Sequence, residues 1–116
     1  MKHPQTDLDT ATLVVSLLDR LPADPSPSAV DEALTVLANR RRRLTLSVVR
    51  EHDEPIALPD VADEVAVREH GQPVTELSPE TVAQTYISIY HDHLPRLVDL
   101  GILAYDQERD LVIPTY

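Results

Sequence analysis

The chain has no cysteine, no phenylalanine and no tryptophan, and only two glycines in 116 residues. Without cysteine there can be no disulfide, no thiolate metal site and no cysteine nucleophile. With four tyrosines as its sole aromatics, the core has to be aliphatic, which favours helices packed through Leu, Val and Ala. Two glycines build no phosphate-cradling loop. Long apolar runs are missing as well. "LVV" and "SLL" fall far short of the roughly 20 residues of a membrane span, and the polar start "MKHPQTDLDT" has no signal-peptide pattern. These absences predict a soluble, cytoplasmic chain without a membrane partner.

Carboxylates are abundant: twenty Asp and Glu stand against ten Lys and Arg, for a formal net charge of −10. They are dispersed, with no acidic tail, and lysine occurs once against nine arginines. That pattern resembles the surfaces of proteins from salt-loving archaea, where hydrated carboxylates keep the chain dissolved in molar salt. At about 1 M salt charges are screened within about 3 Å, so net charge there neither repels nor attracts DNA strongly. The carboxylates form no recognisable catalytic pair, and Ser, His and Asp are scattered through a polar chain. No enzymatic activity is expected.

Periodicity predicts a mainly α chain with a small C-terminal β-hairpin. Residues 1–27 form an N-terminal helix, opened by Thr6 and Asp9, and a Pro-rich connector. Its stripe Leu8, Ala11, Val15 and Leu18 predicts a homodimer contact. Residues 28–116 form the main domain. A helix starts at Ser28 with Asp31 three residues on and turns Val30, Ala33, Leu34 and Leu37 inward. Asn39 caps a second helix from Arg40 to about Glu51, and Ile56–Ala57 is a very short strand. A third helix runs from Pro59 to about Glu69 and is ended by Gly71, with Val61, Ala62, Val65 and Ala66 inward. "SPE" at Ser78–Glu80 opens a long helix to about Leu100, interrupted near His91–Leu94 by Pro95. "ILAYD" and "DLVIPTY" then form the hairpin around "QERD".

Three helices followed by a two-stranded ribbon is the layout of a winged helix-turn-helix. "ALTVLANRRRRLTLSVV" resembles the "LADPTRRRIL" opening of ArsR-type winged-helix repressors, and "HLPRLVDLGILAYD" resembles the end of their recognition helix running into the wing. "YHDHLPRLVDLGILAYD" with its acidic surround resembles, more closely, an uncharacterised family of haloarchaeal winged-helix domain proteins. The resemblance spans about Ser28 to Pro114. It implies a DNA-binding transcriptional regulator whose long helix enters the major groove of double-stranded DNA.

On a helical wheel Ala83, Ile87, Tyr90, Leu94, Leu97 and Val98 share an inward arc. The opposite arc collects Thr81, Gln84, Thr85 and Ser88, with His91 and Arg96 at its margins. These six are the expected DNA contacts, since recognition helices read bases with their N-terminal residues and Gln, Ser and Thr can all hydrogen-bond base edges. Arg41, Arg42 and Arg109 complete the candidate set as phosphate contacts. Four consecutive helical arginines fan around the whole circumference, so Arg40–Arg43 cannot form one patch. A structural ion-pair network with Asp31, Glu32 or Asp99 competes with phosphate binding for them. The missing Lys and Arg between Pro79 and Pro95, and the acidic tip Asp106, Glu108 and Asp110, favour the alternative of a winged-helix module that binds protein. His91 and His93 lie two apart and face opposite ways on a helix, so no metal and no cofactor is expected.

Overall fold

Ser26, not Ser28, opens the first helix of the main body, its Oγ accepting from the Ala29 N–H at 3.1 Å. A computed structural model describes residues 24–115, together with residues 15, 16, 18, 19 and 21. The expected contact residues Leu8 and Ala11, and the helix start at Thr6 and Asp9, lie outside the described residues. Helix α1 spans Pro27–Leu37, α2 Arg40–His52 and α3 Leu58–His70, with the two-residue strand β1, Ile56–Ala57, between the last two. After a 3-10 turn at Val74–Glu76 comes α4, Pro79–Ser88, which continues through a π-turn, Ile89–His93, into α5, Leu94–Asp99. Strands β2, Leu103–Asp106, and β3, Leu111–Pro114, close the chain. The protein is mainly α with a small antiparallel sheet near its C-terminus.

Each boundary has a local cause. Asn39 caps α2 by accepting from the Arg42 N–H at 3.0 Å. Gly71 ends α3 in the left-handed region at φ 67°, where a Cβ is disfavoured, and Gly101 follows α5 at φ 76°. Pro59 and Pro79 occupy first-turn positions, where the missing N–H costs nothing.

The sheet order is β1-β3-β2. β3 pairs antiparallel with β2, Tyr105 opposite Val112, and on its other edge with β1, Ile56 opposite Val112. The hairpin is thereby tied to the segment between α2 and α3, and the Leu58 N–H donates to the Asp110 carbonyl at 2.9 Å. The aliphatic core lies between α2, α3, the π-turn, α5 and the sheet: Leu46, Val48, Val49, Leu58, Val61, Val65, Ile89, Leu97 and Val112 are fully buried. Each such side chain contributes about 1.5–3 kcal/mol relative to exposure. In α1 the expected stripe holds at Ala33 and Leu37, with Val36 in place of Leu34. Ala33, Val36 and Leu37 are buried, while Leu34 is exposed.

Residues 15, 16 and 18 are helical, and the Asp19 N–H donates to the Val15 carbonyl at 3.0 Å. Arg50 Nη2 donates to Ser16 Oγ at 2.9 Å, which ties this segment to α2. Val15 is 58% exposed and Leu18 half-buried.

Candidate nucleic-acid interface

Helix α4 begins as its sequence dictates. Ser78 Oγ accepts from the Thr81 N–H at 3.1 Å, Pro79 pre-sets the first helical φ, and Glu80 complements the positive end of the helix dipole. Its inward side carries Thr85 and Ile89, fully buried, with Val82 and Tyr86 half-buried beside them. Its outward side carries Glu80, Ala83, Gln84, Ile87 and, past the π-turn, His91.

The expected reading face is therefore partly corrected. Gln84 and His91 are exposed as expected, and Thr81 and Ser88 are half-buried at its edges. Thr85 is not on this face. It is 1% exposed and donates its hydroxyl to the Thr81 carbonyl at 3.0 Å, so it cannot reach a base. Conversely Ile87, expected inward, is 54% exposed, and Ala83 is exposed with it.

The cause is the π-turn. The Leu94 N–H donates to the Ile89 carbonyl five residues back, which places one extra residue in that turn. One residue corresponds to about 100° of rotation, so a wheel phased on Leu94 and Leu97 misassigns Ala83, Thr85 and Ile87, N-terminal to Ile89. Pro95 explains why the turn widens here. It has no N–H for the His91 carbonyl, and its ring would crowd that carbonyl in a regular helix.

The arginine run is committed to the fold. Arg41 grips Glu69 of α3 through two bonds, Nε–Oε2 at 2.6 Å and Nη2–Oε1 at 2.7 Å. Arg42 is buried, with Nη2 3.5 Å from the Thr35 carbonyl, and Arg43 Nη1 donates to the Leu37 carbonyl at 2.6 Å. Both therefore cap the C-terminal carbonyls of α1, where a cation also favours the helix dipole. Arg40 is exposed. Arg41 and Arg42 as phosphate contacts are thus corrected to structural cations, and the carboxylate partner is Glu69 in place of Asp31, Glu32 or Asp99.

Behind this run lies His93, 5% exposed, with Nδ1 lacking a hydrogen-bond partner, as does Arg42 Nε. Asp92 Oδ2 is 3.6 Å from that nitrogen, and Arg96 Nε donates to Asp92 Oδ1 at 3.1 Å. Arg96, an expected DNA contact, is exposed but already holds this carboxylate. Burial lowers the His93 pKa below the ordinary imidazole value. Asp92 opposes the shift, and Arg42, Arg41 and Arg96 reinforce it. The imidazole is then neutral when folded, whereas in the unfolded chain it takes a proton below about pH 6.5. Stability is fully present above that pH and falls as pH drops from it toward the folded value. The slope can reach about 1.4 kcal/mol per pH unit. Urea midpoints at pH 5.5 and 7.5 should show this loss, and His93→Gln should flatten it.

At the hairpin the acidic tip proves to be partly structural. Asp110 lies in the left-handed region at φ 55° and accepts from Tyr86 Oη at 3.1 Å and from Tyr105 Oη. Asp106 Oδ1 accepts from the Arg109 N–H at 3.3 Å, and its Oδ2 lies 3.7 Å from Arg109 Nε. Arg109 itself is 76% exposed at its side chain and stands at the tip, where it was expected. Tyr90 stacks on Tyr86, meets Tyr105 edge-on, and accepts from Gln107 Nε2 at 3.3 Å. This tyrosine cluster fixes the hairpin against the joint of α4 and α5.

A family model described as a domain of unknown function, DUF7344, matches residues 34–113. No curated protein and no solved structure matches.

Proposed function

The chain belongs to the DUF7344 family, and we propose, from the arrangement of its helices and hairpin, that it is a DNA-binding transcriptional regulator of winged helix-turn-helix type. It acts in high salt as a homodimer, with α4 in the major groove of double-stranded DNA. The observation that carries this reading is topological. A strand between the first two helices of a three-helix core pairs with the far strand of a C-terminal hairpin, and the third helix turns a face outward. The bonds of Asp110 to Tyr86 and Tyr105 and the pairing of Asp106 with Arg109 at the tip reduce the hairpin's conflict with phosphate. Val15 and Leu34, both exposed, support a contact between copies on the N-terminal side.

A gel-shift titration with genomic fragments across a KCl series is expected to give retarded complexes at micromolar protein. No shift at any salt concentration overturns the reading, and sedimentation as a single chain removes the dimer from it. A second reading, a winged-helix module that binds another protein, is favoured by one observation. The outward side of α4 carries Ile87 and Ala83 and no cation. Capture of a defined protein from lysate on the bare domain, lost in Ile87→Glu and accompanied by no DNA shift, would select it.

A further inference from the structure

We infer that α4 selects A·T base pairs, reading adenine through Gln84 and the thymine methyl through Ala83 and Ile87. This inference rests on the DNA-binding reading above and adds a substrate class to it. In the major groove guanine presents two acceptors, N7 and O6, which are matched by the paired donors of Arg or Lys. No Lys or Arg occurs between Pro79 and Pro95, so the outward arc of α4 lacks the paired donors that most commonly read guanine. Adenine presents an acceptor at N7 beside a donor at N6, and the exposed Gln84 amide carries the complementary donor and acceptor.

Thymine alone adds a methyl group to the groove. Ile87 leaves about half of its apolar surface in water, which a thymine methyl would partly cover. Ala83 and Ile87 lie four residues apart on one side of α4, with Gln84 between them on the same arc. They span about 6 Å along the helix, or roughly two base-pair steps of about 3.4 Å. The geometry thus fits two or three successive A·T pairs. Glu80, at the N-terminal end of the arc, can accept from a cytosine amino group, so a G·C pair is accommodated at that end. The burial of Thr85 sharpens the assignment, because it removes a hydroxyl that would tolerate several bases.

The test uses the full chain and duplexes of equal length at one salt concentration, differing in an A·T or a G·C core. The A·T core should bind at least about fivefold more tightly. Replacing its thymines by uracil, which deletes only the methyl, should weaken binding severalfold, and Ile87→Ser should abolish that sensitivity. Gln84→Ala should erase most of the A·T preference while retaining residual binding. Equal affinity for the two cores, tighter binding of the G·C core, or indifference to uracil each overturns the inference and leaves DNA binding standing. Absence of binding to both duplexes at every salt concentration overturns the DNA-binding reading, and the inference falls with it.

Discussion

Thr85→Glu is expected to remove roughly 3–5 kcal/mol of folding free energy, whereas Ile87→Glu, two residues on, should change it by no more than about 0.5 kcal/mol. Thr85 is sealed at 1% exposure, and its hydroxyl has an acceptor only because the Thr81 carbonyl lies one turn back. A longer carboxylate there has neither room nor a partner, and an uncompensated buried charge is among the few changes that cost this much. Ile87 exposes half its surface, so a charge there stays hydrated. Against a typical total of about 5–15 kcal/mol, the first variant will be near or beyond the limit of folding. Thr85→Val provides the control. It keeps the volume, loses one hydrogen bond, and should stay within about 1.5 kcal/mol of the parent. Urea midpoints with an unchanged m-value measure all three. Equal losses at positions 85 and 87 would mean that α4 is rotated from the phase described.

Asp110→Ala is expected to cost about 2–4 kcal/mol through two separable effects. The residue sits at φ 55°, where an alanine Cβ costs roughly 1–2 kcal/mol and Asn or Asp costs less. Its carboxylate also accepts from the hydroxyls of Tyr86 and Tyr105, and charged hydrogen bonds of this kind contribute about 1.5–3 kcal/mol. The bond from the Leu58 N–H to the Asp110 carbonyl survives the substitution, so β1 stays attached. Asp110→Asn keeps the backbone preference and one acceptor and should fall between parent and Ala. A spectroscopic readout separates packing from charge. Burial and the Asp110 carboxylate together hold both phenols above the ordinary tyrosine pKa. Tyrosine absorbance should therefore titrate at lower pH in Asp110→Asn than in the parent. An unchanged titration and an unchanged midpoint would remove Asp110 from this role.

The helices of the main body, the two-residue strand and the hairpin were legible, because most boundaries are written in local chemistry, although α1 starts at Ser26 and not at Ser28. Asn39, Ser78 with Pro79, Gly71 and Gly101 act within a turn of themselves, and the structure uses each one as the sequence suggests. The break before Pro95 was legible for the same reason. Its form was not. A proline announces that the regular ladder fails but does not say whether the chain kinks, tightens or widens. Widening by one residue moved Thr85 inward and Ile87 outward.

The partners of the arginines were hidden for a different reason. Glu69 is 28 residues from Arg41, and the acceptors of Arg42 and Arg43 are backbone carbonyls, which carry no side-chain signal. The fan of four cations correctly excluded a single phosphate-binding patch. It could not name α3 and the end of α1 as the surfaces they serve. The site was accordingly half legible: Gln84 and His91 follow from position alone, whereas Ile87 becomes a surface residue only once the π-turn is known.

The guanidinium groups that close the end of α1 belong to α2, so α1 does not have a complete terminus alone. Ala38 and Asn39 between them therefore form an elbow braced by these bonds. The bracing continues from Arg41 through Glu69 to α3, which the turn at Val74–Glu76 joins to α4. The run of cations that looks from the sequence like a handle for nucleic acid is, mechanically, a clamp that holds α1, α2 and α3 together.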